Sequence, residues 1–439
     1  MTIEGFPHLH VRPPTGWLND PNGIGHWDGR WHVCYQANPA APVWGDICWG
    51  HASSPNLLTW DDEPVVLAPR PGHLDAAGVW SGVAVVQDGE PALVYTAAST
   101  GPHDAGLAVA RRGPDGVFVQ PDTCVVPPSS DPTVVDVRDP FLFTAAGRQY
   151  AIAGGGRADR SSPLVPLWAV DDLDHWHPLG LLVGDDDPAT TALAPAELWE
   201  CPQLVRLAGP DDAAAWVLLV SRWVAGRLVG CHAVVGELVP RGAGLQFVGG
   251  AAAALDEGPD FYAAQAVPAG DRVLMWAWAP EGSDRTADEV RAAGWAGTLT
   301  FPRELTLVGG RVHSAPAREL VGLRASALPV TADSLATDEP AWEVVGRGAV
   351  TVGLIGPAGE RVVWRAPAPA DEVRAAGEVR PVGEVRDAGE VRVLVDGSVL
   401  EAFTDGAAAT HRVYPRPGEV WSVRGVDLRA WRLRRPSLV

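Results

Sequence analysis

Short apolar or alternating runs separated by turn residues recur from the start of the chain to about residue 305. They include 30–36, 92–97, 141–143 followed by 149–153, 216–220 and 273–278. Runs of this length, bounded by Gly, Pro, Asn and Asp, predict β-strands. Trp27-Asp28-Gly29-Arg30, Gln87-Asp88-Gly89 and Ala146-Gly147-Arg148 predict hairpin turns between pairs of them. Helical periodicity is nearly absent, apart from a short turn expected at 286–293. Roughly 300 residues of strands and tight turns in one block point to a sandwich array or a radial propeller.

After about residue 318 the chain changes character but stays strand-like, at 349–355, 361–364, 391–395, 399–403 and 426–433. A Glu-Val-Arg hexad repeats at 372–374, 378–380, 384–386 and 390–392, and reads as a duplicated exposed strand segment. The expected organisation is therefore one all-β block over 1–305, a linker at 306–317, and a second β domain, a sandwich, over 318–439. A length of 439 residues is too great for one ordinary core and agrees with this division.

Composition narrows the function. The 49 Gly and 40 Pro favour strands and turns over long helices. Nineteen Trp supply indoles that stack on the apolar faces of sugar rings, although core filling accounts for most of them. A net charge of −20 argues against nucleic acid and anionic membrane as partners. Every one of the 34 basic residues is Arg, which removes Schiff-base and P-loop lysine chemistry. Cys34, Cys48, Cys124, Cys201 and Cys231 show no metal spacing. The first residues carry no basic segment followed by an apolar run, so reduced thiols in a cytoplasmic protein are expected. No apolar stretch of membrane-spanning length occurs.

Three acids stand out among the 54 Asp and Glu by their neighbours. Asp20 lies in WLNDPNG, Asp139 in VRDPF and Glu200 in LWECPQ. Their separations are 119 and 61 residues, and propeller blades of about 60 residues would bring them to one channel. Two carboxylates facing one glycosidic bond are the minimum equipment for cleaving it, about 5–5.5 Å apart for retention, and a third can bind the sugar between them. Asn19 and Asn22 offer amides to Asp20, and Pro21 stiffens the backbone after it; the alternative is a surface Asx-Pro turn. Arg138 and Asp139, as strand neighbours, are expected to point oppositely. Arg138 then either anchors elsewhere or leans in to hold a carboxylate ionised. Trp199 and Cys201 promise Glu200 an apolar shell suited to a general acid; the alternatives are an edge-strand Glu or one paired with a core Arg.

WLNDPNG, RDP and EC, in this order and at these separations, resemble the hallmark motifs of glycoside hydrolase family 32, the invertase, inulinase and levanase group of β-fructosidases. Further stretches are similar, among them Asp260-Phe261-Tyr262-Ala263 and Gly294-Trp295-Ala296-Gly297. The resemblance implies a five-bladed β-propeller over 1–305 followed by a β-sandwich. It implies hydrolysis with retention at a terminal β-fructofuranosyl unit, with no metal or organic cofactor. Asp20 would be the nucleophile, Glu200 the general acid/base and Asp139 the transition-state stabiliser. Asn19, Gln36, Trp44, Ser81 and Arg138 would complete the fructose pocket, with Trp17 and Trp295 as walls.

The chain departs from that pattern at Leu18, Asp46 and Trp80, where Met, Asn and Phe are common. By the resemblance, Asp46 and Trp80 would lie near where family members shape the pocket and its mouth, so these departures bear on the leaving group. The expected activity is release of fructose from sucrose or short fructo-oligosaccharides. A fructosyltransferase using the same acids, and a sucrose-6-phosphate hydrolase, are the alternatives. An idle fructan-binding module would need a broken triad, and an inverting hydrolase a carboxylate gap of about 6.5–9.5 Å.

Overall fold

The computed structural model describes residues 5–209, 214–366 and 389–436. Strands dominate it, as the alternation predicts. All three expected hairpin turns form: Asp28 and Gly29, Asp88 and Gly89, and Ala146 and Gly147 each pair consecutive positive φ angles, the backbone of a two-residue turn. The turn expected at 286–293 is a short helix, Ala287–Ala293. Thr286 and Glu289 cap it reciprocally, and Gly294 at φ 75° ends it.

The strands up to Pro316 form antiparallel runs of four, each opening on a strand that carries one of the motifs. The opening strands are Gly16–Trp27, Gly78–Gln87, Val134–Ala145, Leu198–Ala208 and Tyr262–Ala269. They pack successively, each against the next, and the fifth packs back on the first. Gly16–Trp27 also pairs in parallel with Trp295–Ala296, joining the start of the block to its end. Gly297, at φ 78°, is required at that junction: a Cβ there would stand 1.9 Å from the Leu18 carbonyl oxygen.

The stretch expected to be a linker is strand instead. Arg303–Val308 and Arg311–Pro316 form a hairpin within the last run, across residues 306–316. Val-Gly-Gly-Arg supplied the turn, with Gly309 and Gly310 both at positive φ.

The C-terminal strands join in one hydrogen-bonded set whose longest members are Ala341–Gly356 and Val420–Leu433. They enclose their own core around Trp342, Val352, Val393, Leu400 and Trp421. The first three copies of the hexad repeat lie outside the described residues; the fourth opens strand Glu390–Asp396, with Val391 buried and Glu390 exposed. Buried charge ties this region to the rest. Arg303, fully buried, contacts Asp256 at 2.7 Å and Glu401 at 2.6 Å, and His10 lies between Asp396 and Glu401.

Candidate active site

Each of the five opening strands carries a bulge, two residues facing one on its partner, at its motif residues. Asn19 and Asp20 stand opposite Gln36, Asp139 and Pro140 opposite Ala153, and Cys201 and Pro202 opposite Val220. The other two strands shift at Ser81 and at Ala263-Ala264. A bulge breaks strict alternation and re-aims side chains. Asp139 takes φ 62° and Cys201 φ 48°, positions where an Asp is tolerated far better than most residues.

The result overturns two expectations and selects the alternatives in which Arg138 leans in and Glu200 pairs with an Arg. Arg138 and Asp139 do not point oppositely: the left-handed residue turns both toward the same cavity, with Arg138 Nε 3.9 Å from Asp139 Oδ2. Glu200 likewise lacks the expected apolar shell. Arg138 Nη2 donates to its Oε1 at 2.6 Å and the Tyr262 hydroxyl to its Oε2 at 2.5 Å. Trp199 faces away, fully buried, donating to the Ala194 carbonyl. The Cys201 thiol instead lies 3.6 Å from both Asp20 Oδ2 and Asp139 Oδ2.

Asp20 sits in a fan of donors. Ser81 Oγ reaches its Oδ2 at 2.7 Å, Gln36 Nε2 the same oxygen at 3.3 Å, and Asn19 Nδ2 its Oδ1 at 3.1 Å. Trp17 Nε1 in turn holds the Asn19 amide at 2.8 Å. Burial pushes the Asp20 carboxyl up to about 6, against the pull of Ser81, with the nearby Glu200 charge adding to the rise. Asp139, 5% exposed, is pushed up to about 7 by burial and by Glu200 and Asp20, with Arg138 opposing. Its Oδ2 accepts from the Cys201 amide at 2.9 Å, and its own amide donates to Thr96 Oγ1 at 2.8 Å.

The three acids share one cavity of about 690 Å³. Trp17, Asn19, Gln36, Trp44, Trp80 and Arg138 line it with them, and Ser81 stands behind Asp20. Trp44, 56% exposed, forms part of its rim beside Trp80, their rings 6.2 Å apart. Two expected residues are elsewhere. Trp295 is 1% exposed and packs between Phe6, Tyr414 and the Arg285 guanidinium, because its strand turns the indole toward the C-terminal region. Asp46 is exposed at φ 45° and does not line the cavity. Tyr262, Trp278 and Leu228 line it without having been singled out. Tyr262 lay in a motif already noted, Asp260-Phe261-Tyr262-Ala263, while Leu228 carries no sequence signal. Among the described residues no His, Cys, Asp or Glu group is arranged to hold a metal ion.

A sequence comparison matches residues 10–316 to the N-terminal domain of glycosyl hydrolases family 32. The chain belongs to that family. Sucrose-6-phosphate hydrolase of Zymomonas mobilis is 32% identical over 342 residues, covering 74% of this chain and 64% of that relative. Raffinose invertase of Escherichia coli is 30% identical over 340 residues, 74% of this chain and 67% of that one. The chain thus matches under two thirds of the length of the Zymomonas relative. Among solved structures, a family 32 β-fructofuranosidase of Bombyx mori superposes with a TM-score of 0.75 at 26% identity, over 98% of this chain and 94% of that one. A variant of the insect enzyme has been solved in complex with sucrose. Family 32 membership accounts for the order of the three motifs.

Proposed function

We propose that this family 32 protein is a retaining, exo-acting β-fructofuranosidase releasing terminal fructose from sucrose and short fructo-oligosaccharides. The observation that carries this reading is the convergence of Asp20, Asp139 and Glu200, from three strands, on one indole-walled cavity. Asp20 attacks the anomeric carbon while Glu200 gives a proton to the leaving oxygen. Water then attacks the fructosyl ester on Asp20, giving its proton back to Glu200. Asp139 accepts from fructose hydroxyls throughout. The ring of opening strands supports a five-bladed propeller as the scaffold, and the C-terminal strands a β-sandwich.

The bacterial relatives' names favour a phosphorylated substrate, but the cavity favours an unphosphorylated one. Arg138 is the single cation among its described lining residues, and Glu200 already engages it. A phosphate would need an uncommitted cation at the rim, where Trp44, Thr100 and Leu228 are exposed instead. A panel of sucrose, sucrose 6-phosphate, kestose, inulin and levan, with products identified, tests this. Higher kcat/KM for sucrose than for its 6-phosphate supports the assignment and the reverse overturns it. Absence of fructose from every substrate overturns the whole reading.

A further inference from the structure

Arg138 carries a carboxylate at each end of its guanidinium. Glu200 is on Nη2, while Asp136 Oδ1 lies 3.9 Å from Nη1, which also donates to the Asp136 carbonyl at 3.4 Å. Asp136 does not line the cavity, yet it is 6% exposed and held at φ 59°. One more cation, Arg160, and an imidazole, His103, close on it from behind. Arg160 Nη1 stands 2.8 Å from its Oδ2 and His103 Nδ1 3.1 Å from its Oδ1. A buried carboxylate is costly, and such cost is retained where the surroundings demand it.

We propose that Asp136 is a positioning residue that fixes Arg138 against Glu200 and, balanced by Arg160, sets how much cationic charge reaches the cavity. The inference rests on the β-fructofuranosidase reading. The groups facing Arg138 are Asp136 and Asp139 from its own strand and Glu200 from Leu198–Ala208. On the cavity side stand Asp20 from Gly16–Trp27, Tyr262 from Tyr262–Ala269 and, beside Asp20 and Asp139, the Cys201 thiol. Behind Asp136 stand His103, from the 3-10 turn Pro102–Asp104, and Arg160, from the turn after Arg148–Arg157. Removing the Asp136 charge leaves Arg138 to Glu200 and Asp139 alone, which favours ionised carboxylates in the cavity; removing Arg160 does the reverse.

The test is the pH dependence of kcat/KM for sucrose in Asp136→Asn and Arg160→Gln beside the unsubstituted protein. The acid limb is expected to move down by about half a pH unit in Asp136→Asn and up by a smaller amount in Arg160→Gln. In Asp136→Asn, kcat falls roughly tenfold with KM little changed, and Asp136→Glu restores most of it. Limbs that stay put in both variants, or move in the same direction, overturn the proposal whatever happens to thermal stability. Should Asp136→Asn not fold, the partly exposed Arg160→Gln decides alone: an upward move supports the proposal, and none overturns it. Carboxyl ¹³C shifts of Asp20 and Asp139 read the same displacement without turnover. A protein that releases no fructose therefore sinks the functional reading while this one remains decidable.

Discussion

Arg138 Nη2 and Glu200 Oε1 meet at 2.6 Å across two strands, and the Tyr262 hydroxyl closes on the other carboxylate oxygen at 2.5 Å. Glu200 is therefore gripped from both sides and aimed, not embedded in hydrocarbon. Burial and the Glu200 charge push the Tyr262 phenol well above its usual range, so it keeps its proton and remains a donor throughout the working pH range.

Tyr262→Phe should consequently lower kcat for sucrose by roughly ten- to a hundredfold while changing KM much less, since the lost donor orients a reacting group. Steady-state kinetics check this. An unchanged kcat would show that Arg138 alone suffices to hold Glu200.

Asp139→Asn should abolish turnover and stabilise the fold above neutral pH. The folded-state value near 7 lies above the unfolded one of about 3.9, so the folded protein holds this proton more tightly. The group's contribution is present below pH ~4 and is lost as pH rises through about 7. The variant lacks that loss. Its melting temperature should exceed the unsubstituted protein's by roughly 2–6 °C at pH 8, and by less at pH 5, in calorimetric scans.

His32 and His51 predict the opposite slope. Their nitrogens, Nδ1 and Nε2, are 3.0 Å apart, and His32 Nε2 bonds the Trp27 carbonyl at 3.3 Å. A neutral His32 donating to that carbonyl leaves Nδ1 to accept from His51, so protonating both rings sets two N–H groups head to head. Burial lowers both to about 4, with the His51 charge adding to the fall at His32. Stability is complete above the unfolded value of about 6.5 and declines as pH falls from there toward 4. His51→Gln should flatten that decline in melting temperature measured from pH 7 to 4.5.

Arg303→Met should strip buried Asp256 of its cation and leave Glu401 only the His10 ring. Removing one partner of such a group costs about 3–5 kcal/mol. Because Glu401 belongs to the C-terminal strands, urea unfolding should also become less cooperative across the two regions.

Much of this arrangement was legible in the chain. The period-two runs, the Asp-Gly and Ala-Gly turns and the three acidic motifs all reported local chemistry, and local chemistry decided them. What escaped depended on contacts made at a distance. Strict alternation separated Arg138 from Asp139, and only the bulge opposite Ala153 reunites them. Trp199 and Cys201 flank Glu200 in sequence, yet strand geometry turns them away and brings Arg138 and Tyr262 from other strands. Trp295 sat in a motif resembling a pocket wall, but the C-terminal region claims its face. The hairpin at 303–316 carries its own alternation, with Leu305 and Leu307 buried and Thr306 and Val308 exposed, which the expected linker overlooked.

The central claim, that Asp20 and Glu200 cleave the fructosyl bond with retention, is tested most directly by following sucrose hydrolysis in real time by NMR. The account predicts β-fructofuranose as the first fructose signal from the unsubstituted protein, and none from a folded Asp20→Ala variant. An α anomer appearing first, or undiminished fructose release by Asp20→Ala, would contradict it.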